Sequence, residues 1–400
     1  MKITGYRSLT TYHDWGRVIG DVNGVMPDNR TEVPILILET DVGLEGVGLG
    51  AHHEVDRVFP AIDGEDPRAV SALYDRMLNR VFKTGHYGAT FGSIGAVDMA
   101  LWDLKAKAND EPLWRTLGGR DRFVRGYASG LEFGLDDDAM VRLYERFAER
   151  GFDGAKVKGG SDFAGDLRRL QAVEEVLRKN STRPALMFDA NESWNRSQAV
   201  RFVSELEEHV DLTWIEEPVR RWDAAGLAAV RAGVKAAVAT GENLTGLEQY
   251  RPLLDADAVD VVQVGNVWGV THFLRVAAVA HARDLPVSPV AFNCNPIAHA
   301  ATAVPNFLTF EVQDLGYPTG LIVDQQIADG GIVLGDSPGM GIVVDEAAVA
   351  AIATRAALPP VGGPNVRPDR AGLRLVPEPR NPAPGGKERR SGGAPVDAPR

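Results

Sequence analysis

Cysteine is almost missing from this chain: Cys294 is the only one in 400 residues. An internal disulfide is excluded, and a reducing cytosol suits such a composition. Long apolar runs are missing too. No segment approaches the roughly 18 uninterrupted apolar residues of a membrane span, and the opening MKITGYRSL has no apolar signal core. The expectation is a cytoplasmic protein with no membrane partner. Positive charge is in deficit, with 43 Lys and Arg against 55 Asp and Glu for a net charge of -12. That balance argues against nucleic acid as a partner.

The last 44 residues, 357–400, differ from the rest. They hold 10 of the 24 prolines and seven glycines, with eight Lys or Arg against four acids. Such a stretch buries too little apolar surface to offset its ordering entropy, so it is expected to be a disordered Pro/Gly-rich tail.

From about residue 136 the chain alternates between helical and extended patterns. DDDAMVRLYERFAERG precedes GAKVKG, AGDLRRLQAVEEVLRK precedes PALMFDAN, and SQAVRFVSELEEH precedes DLTWIEEP. The alternation continues through AAVATGEN, AVDVVQV, LPVSPV and NFLTFEV, and VRGYASG at 124–130 supplies a first strand. Eight strands alternating with seven helices imply a parallel sheet, and eight is the number that closes a barrel. An open doubly wound sheet would carry a Gly-rich phosphate turn after its first strand, and none is there. Ahead of this α/β region, 32–49 reads as two strands around a turn at Asp41 to Gly43. Residues 67–80 and 93–109 read as helices. The polar, glycine-containing loops at 17–31 and 50–58 suit a lid over a barrel mouth.

Barrel chemistry sits at the C-terminal ends of the strands. Strand two ends with Lys156 and Lys158, which share a face because strand side chains alternate with period two. Two like charges so close favour a neutral form for one of them, and a neutral amine can act as a base. Strand three ends with Asp189 and Asn191, strand four with Glu216 and Glu217, strand five with Glu242 and Asn243. Asp189, Glu216 and Glu242 are 27 and 26 residues apart, one strand–helix unit each, so three carboxylates share one rim. Converging anions repel, and a dication with oxygen preference such as Mg²⁺ resolves that. Alternation alone leaves Glu217 in competition with Glu216.

GAKVKGG, FDANESW, WIEEP and TGEN, in this order and spacing, resemble the enolase superfamily in its mandelate racemase/muconate lactonizing enzyme-like branch. SIGAVDMALWDLKAKANDEPLWRTLGG resembles that family's capping domain, and SPGMGIVVDE its closing segment. The resemblance implies an α/β fold: a modified (β/α)7β TIM-type barrel with an N-terminal α+β capping domain completed by a C-terminal segment. The domains would then be a cap at 1–120, a barrel at 121–331, and 332–356 packing back on the cap. It also implies Mg²⁺ on Asp189, Glu216 and Glu242, with Lys158 as base and Lys156 polarising a substrate carboxylate.

The family's strand-six aspartate and strand-seven histidine have no counterpart here. Gln263, Gly265 and Asn266 stand at the first place and Val290 at the second. A one-base reaction survives that loss, with Lys158 taking the α-proton and returning it to a departing β-hydroxyl. The expected activity is dehydration of an acid sugar to a 2-keto-3-deoxy acid. The rivals are a racemase or epimerase with a non-standard second group, a silent acid-binding barrel, and a Schiff-base aldolase using Lys158. Asn191, His52, His53 and His86 are candidate substrate-binding residues, whereas His299 falls in a helical stretch and reads as structural. The expected partners are a small carboxylate substrate and further copies of this chain.

Overall fold

A computed structural model describes residues 1–26, 29–83, 85, 87–290 and 294–353. His86 and the tail from 357 onward lie outside the described residues.

The N-terminal sheet is built from β1 (Ile3–Asp14), β4 (Arg30–Thr40) and β5 (Glu45–Leu49), in the antiparallel order β1–β4–β5. Strand β1 was not anticipated. It is rich in β-branched and aromatic residues but half-exposed along most of its length, which blurs its alternation. Four helices follow: α1 (Val55–Val58), α2 (Val70–Arg80), α3 (Gly88–Ala108) and α4 (Leu113–Thr116). Helix α3 is buried on nearly every face, as a helix must be when it is clamped between two layers. Glycines make the clamp possible on one side. A Cβ at Gly48 would lie 1.9 Å from the Ala96 carbonyl oxygen, and one at Gly46 2.3 Å from that of Ala100. On its other side Asp98 accepts hydrogen bonds from the backbone N–H (2.7 Å) and the hydroxyl of Thr271, at the start of a barrel helix.

The barrel strands are β6 (Phe123–Ser129), β7 (Gly154–Lys158), β8 (Ala185–Asp189), β9 (Leu212–Glu216), β10 (Ala237–Thr240), β11 (Val261–Gly265), β12 (Val287–Val290) and β13 (Phe310–Val312). Between them run α5 (Asp137–Ala148), α6 (Phe163–Leu177), α7 (Arg196–Leu206), α8 (Ala224–Gly233), α9 (Leu247–Asp255), α10 (Val270–His281) and α11 (Ala298–Ala301). Strands β6 to β12 pair in parallel in chain order, and β13 pairs in parallel with β6. The Val287 N–H to Asn306 carbonyl and Leu308 N–H to Val287 carbonyl bonds, both 2.9 Å, close the ring between β12 and β13. This is the (β/α)7β barrel. Its floor is a separate inward layer of Tyr127, Met187, Trp214, Ala239 and Val261, beneath the mouth.

Strands β14 (Leu321–Val323) and β17 (Ile342–Val344) pair with each other, and β15 (Gln325–Ala328) pairs with β16 (Gly331–Leu334). The closing segment divides its contacts. Strand β16 lies antiparallel to β6 of the barrel, whereas Met340 N–H bonds to Asp103 (2.7 Å) and Arg7 pairs with Glu346 (2.8 Å) of α12 (Glu346–Ala353). No described helix is long and apolar enough to cross a membrane.

Candidate active site

Register decides which side chains meet. Lys158 is the β-partner of Asp189 across β7 and β8, and Asp189 is the partner of Glu216 across β8 and β9. Parity places Lys156, Lys158, Asp189 and Glu216 on the inner face, continuing the rows of Met187 and Trp214. The Trp214 indole N–H donates to Glu216 Oε2 at 3.0 Å. The competition between Glu216 and Glu217 is thereby resolved in position. Glu216 is the last inward residue of β9, whereas Glu217 has already left the strand at φ 42° and receives Asn243 Nδ2 at 3.2 Å. Asn243 Nδ2 also reaches Glu242 Oε1 at 3.0 Å.

The lysines are bound into this acidic rim. Lys158 Nζ is 2.5 Å from Asp189 Oδ2. Lys156 Nζ pairs with Glu216 and lies 3.2 Å from Asp189 and 2.7 Å from Glu311. Burial opposes the charge on Lys158, but Asp189 above all, helped by Glu311 and Glu216, outweighs it and holds the ammonium above the usual lysine range. Lys156 is likewise held charged against its burial by Glu216 and Glu311. The expected depression of Lys158 by Lys156 is present as an opposing effect, but the carboxylates exceed it. Asp189 is held down at about 2, its burial outweighed by Lys158 and Lys156. Burial pushes Glu242 and Glu217 the other way.

Sequence reading missed two acids here. Glu311, on β13 opposite Tyr127, is fully buried against Lys156. The signal was available, as an acid in the otherwise apolar strand FEV. Glu132, just past β6, accepts the Lys158 backbone N–H at 2.7 Å and the Tyr144 hydroxyl at 3.0 Å. No strand pattern marks it.

The expected lid loop 17–31 lies against the mouth through its residues 19–26. Its β2 (Ile19–Asp21) and β3 (Gly24–Met26) form a hairpin. Gly20 N–H bonds to the Leu131 carbonyl (2.9 Å) and Asn23 Nδ2 to the Asn191 carbonyl (2.9 Å). Between those anchors Asp21 feels both Lys158 and Asp189, and its burial raises the carboxyl to about 6. Asn191 is thus at the seam of lid and mouth, with its N–H on Asp189 at 2.8 Å. His52 contacts Thr10 (3.4 Å) and stacks edge-on with His53 (5.0 Å between centroids), so its contacts are within the N-terminal region rather than with the lysines. His299 is in α11 and fully buried, and burial lowers its imidazole to about 4. Asn266 serves the scaffold by accepting the Ile297 N–H at 2.9 Å. Beyond Asn243 a cavity of about 560 Å³ opens among Tyr87, Arg221, Trp222, Thr245 and Trp268.

The donor set suits a hard dication in chemistry. Buried Asp189, Glu216 and Glu311 surround the two amines, and the half-buried Glu242 acts on both of them, within an oxygen-lined mouth. In placement the lysines intervene. Among the described residues no three acid or histidine side chains stand grouped as a ready coordination set, because the Lys156 ammonium lies between Asp189, Glu216 and Glu311.

Fold and rim together define a capped barrel with a lysine–carboxylate centre at its C-terminal mouth. The enolase C-terminal domain-like family model matches residues 139–348, and that of the mandelate racemase / muconate lactonizing enzyme N-terminal domain matches 28–118. The chain belongs to this mandelate racemase / muconate lactonizing enzyme branch of the enolase superfamily and is an enzyme. It is 31% identical over 334 residues to the L-talarate/galactarate dehydratase of Salmonella typhimurium, covering 80% of this chain and 82% of that one. It is equally 31% identical over 342 residues to the 3,6-anhydro-alpha-L-galactonate cycloisomerase of Streptomyces coelicolor, covering 82% and 93%. A crystal structure of a racemase from Streptomyces coelicolor A3(2) with bound magnesium superposes with a TM-score of 0.80 at 27% identity, covering 87% of this chain and 99% of that one.

Proposed function

We propose that the enzyme removes the proton α to the carboxylate of an acid sugar and dehydrates it to a 2-keto-3-deoxy acid, with Mg²⁺ held by Asp189, Glu216 and Glu242. The observation that carries this reading is the Lys158–Asp189–Glu216 register, which brings a base and two oxygen donors to one rim. The dehydratase relative and the magnesium-bound racemase structure support it. When bound, the metal supplies electrostatic stabilisation to the enediolate oxygens.

The residues of the chain do the rest. Lys158 Nζ takes the α-proton, and the carbon electron pair expels the β-hydroxyl. The Lys158 ammonium returns its proton to that hydroxyl, which leaves as water, and the enol tautomerises to the keto acid. Lys156 stays cationic beside Glu311 and faces the charge growing on the substrate carboxylate. Lys158 must be neutral to begin, so the carboxylates that hold its proton must be engaged elsewhere first. Asp189 and Glu216, were they to hold a dication, would be the partners so engaged. Dehydration is preferred to racemisation because Gly265 and Val290 offer no second base at the ends of β11 and β12. The buried free Cys294 supports a cytosolic setting.

An acid-sugar panel incubated in D₂O with Mg²⁺ tests the reading. A dehydratase consumes its substrate, a racemase labels it without net loss, and a binding protein does neither. Lys158→Ala is expected to abolish both consumption and exchange. Asp189→Ala is expected to lose calorimetric Mg²⁺ binding while its circular dichroism is unchanged, and full affinity in that variant would refute the ligand assignment.

A further inference from the structure

The lid carries a cation whose terminal nitrogens have no hydrogen-bond partner. Arg17 lies between β1 and β2, its guanidinium 5.4 Å from the centre of the Trp15 ring. Both terminal nitrogens, Nη1 and Nη2, are shut off from solvent and have no hydrogen-bond partner. A guanidinium is a fork of donors that cannot shed its charge, so burying it unmatched is costly unless something arrives to match it. The anions that act on it are Asp314 and Glu132, and both are committed elsewhere. Asp314 Oδ2 is 2.7 Å from His13 Nε2. Glu132 holds the Lys158 N–H and the Tyr144 hydroxyl. The cation therefore sits beside the very loop that braces the base. Two further buried atoms at the lid seam, Asn23 Oδ1 and Asn191 Oδ1, are also unmatched.

We infer that Arg17 receives a second carboxylate at the far end of the substrate, so that the enzyme acts on a sugar diacid rather than a monoacid. The inference rests on the reaction proposed above for the near end. Planar bidentate recognition of a carboxylate is what a guanidinium does best. A terminal hydroxymethyl group would leave the buried charge unbalanced, and sites built around a polar partner reject ligands lacking it by large factors.

The test is calorimetric binding to the Lys158→Ala protein in Mg²⁺, which holds ligands without consuming them. The ligands are six-carbon aldarates, the aldonates of the same configuration, and the 6-phosphoaldonates. With Arg17 present, the best aldarate is expected to bind on the order of 10²-fold more tightly than its aldonate. Arg17→Met should erase that ratio while leaving aldonate affinity and melting temperature unchanged, and Arg17→Lys should restore part of it. A ratio that survives Arg17→Met, no binding across the panel, or aldonates held as tightly as aldarates would overturn the inference. Preference for the phosphate-ended acids would overturn the carboxylate. Turnover of aldonates alone by the wild-type enzyme would sink the role of Arg17 and spare the dehydration. Arg17-dependent aldarate binding without turnover of any acid would do the reverse.

Discussion

Asp98 ties the helix beneath the lid-bearing region to the barrel, and it does so at an electrostatic cost that pH can reveal. Its carboxyl is fully buried, and burial, offset only in part by the two hydrogen bonds from Thr271, raises it from 3.8 to about 7. The folded state thus holds this proton more tightly than the unfolded chain. The associated stability is complete below about pH 4 and is lost as pH rises through 7. A tenfold difference in proton affinity is worth about 1.4 kcal/mol, so the loss between pH 5 and pH 8 comes to about 2 to 3 kcal/mol. Asp98→Asn removes the titration while keeping an acceptor for the Thr271 N–H. It gives up the acceptor of the Thr271 hydroxyl, at about 1 kcal/mol. Urea unfolding of both proteins at pH 5 and pH 8 isolates the group, because every other titration cancels in the difference. The variant should gain about 2 to 3 kcal/mol on the wild type over that interval. A difference that stays flat with pH would mean that Asp98 remains ionised throughout and that its burial is compensated in another way.

Glu311→Gln keeps the shape of the β13 acid but removes one of the anions holding Lys156, so α-proton exchange in D₂O should fall by about 10²-fold with the fold intact. Exchange at the wild-type rate would remove Glu311 from the reaction. Gly48→Ala drives a methyl group into the Ala96 carbonyl, 1.9 Å away, and should lower stability by about 1 to 3 kcal/mol as α3 is pushed off β5. An unchanged melting temperature would show that the sheet and helix have slack there.

The barrel was legible because its units are local. Each strand is short, apolar and followed by an amphipathic helix, and the repeat itself carries the topology. The metal-ligand candidates were legible for the same reason, since residues one unit apart in sequence become neighbours on the rim. What escaped was whatever depends on another part of the chain. Strand β1 gains its identity only by pairing with β4, because many of its side chains face neither water nor core fully. The β2–β3 hairpin is three residues per strand, too short for any periodicity, and its position is set by Leu131 and Asn191 more than a hundred residues away.

Glu311 and Glu132 show why a rim read strand by strand remains incomplete. Lys156 and Lys158 looked like a pair that must repel, one of them driven neutral by the other. In the folded chain each amine is paired with carboxylates: Glu216 and Glu311 for one, Asp189 for the other. Two of these anions follow from the repeat, but Glu311 comes from the eighth strand, which the ring brings beside the first. The neutral base is therefore not a property of the doublet in GAKVKGG. The proposed reaction would need it to be made by whatever draws Asp189 and Glu216 away from the lysines. In the reaction proposed above, the charge that sets the base free and the charge that stabilises the enediolate would come from the same dication.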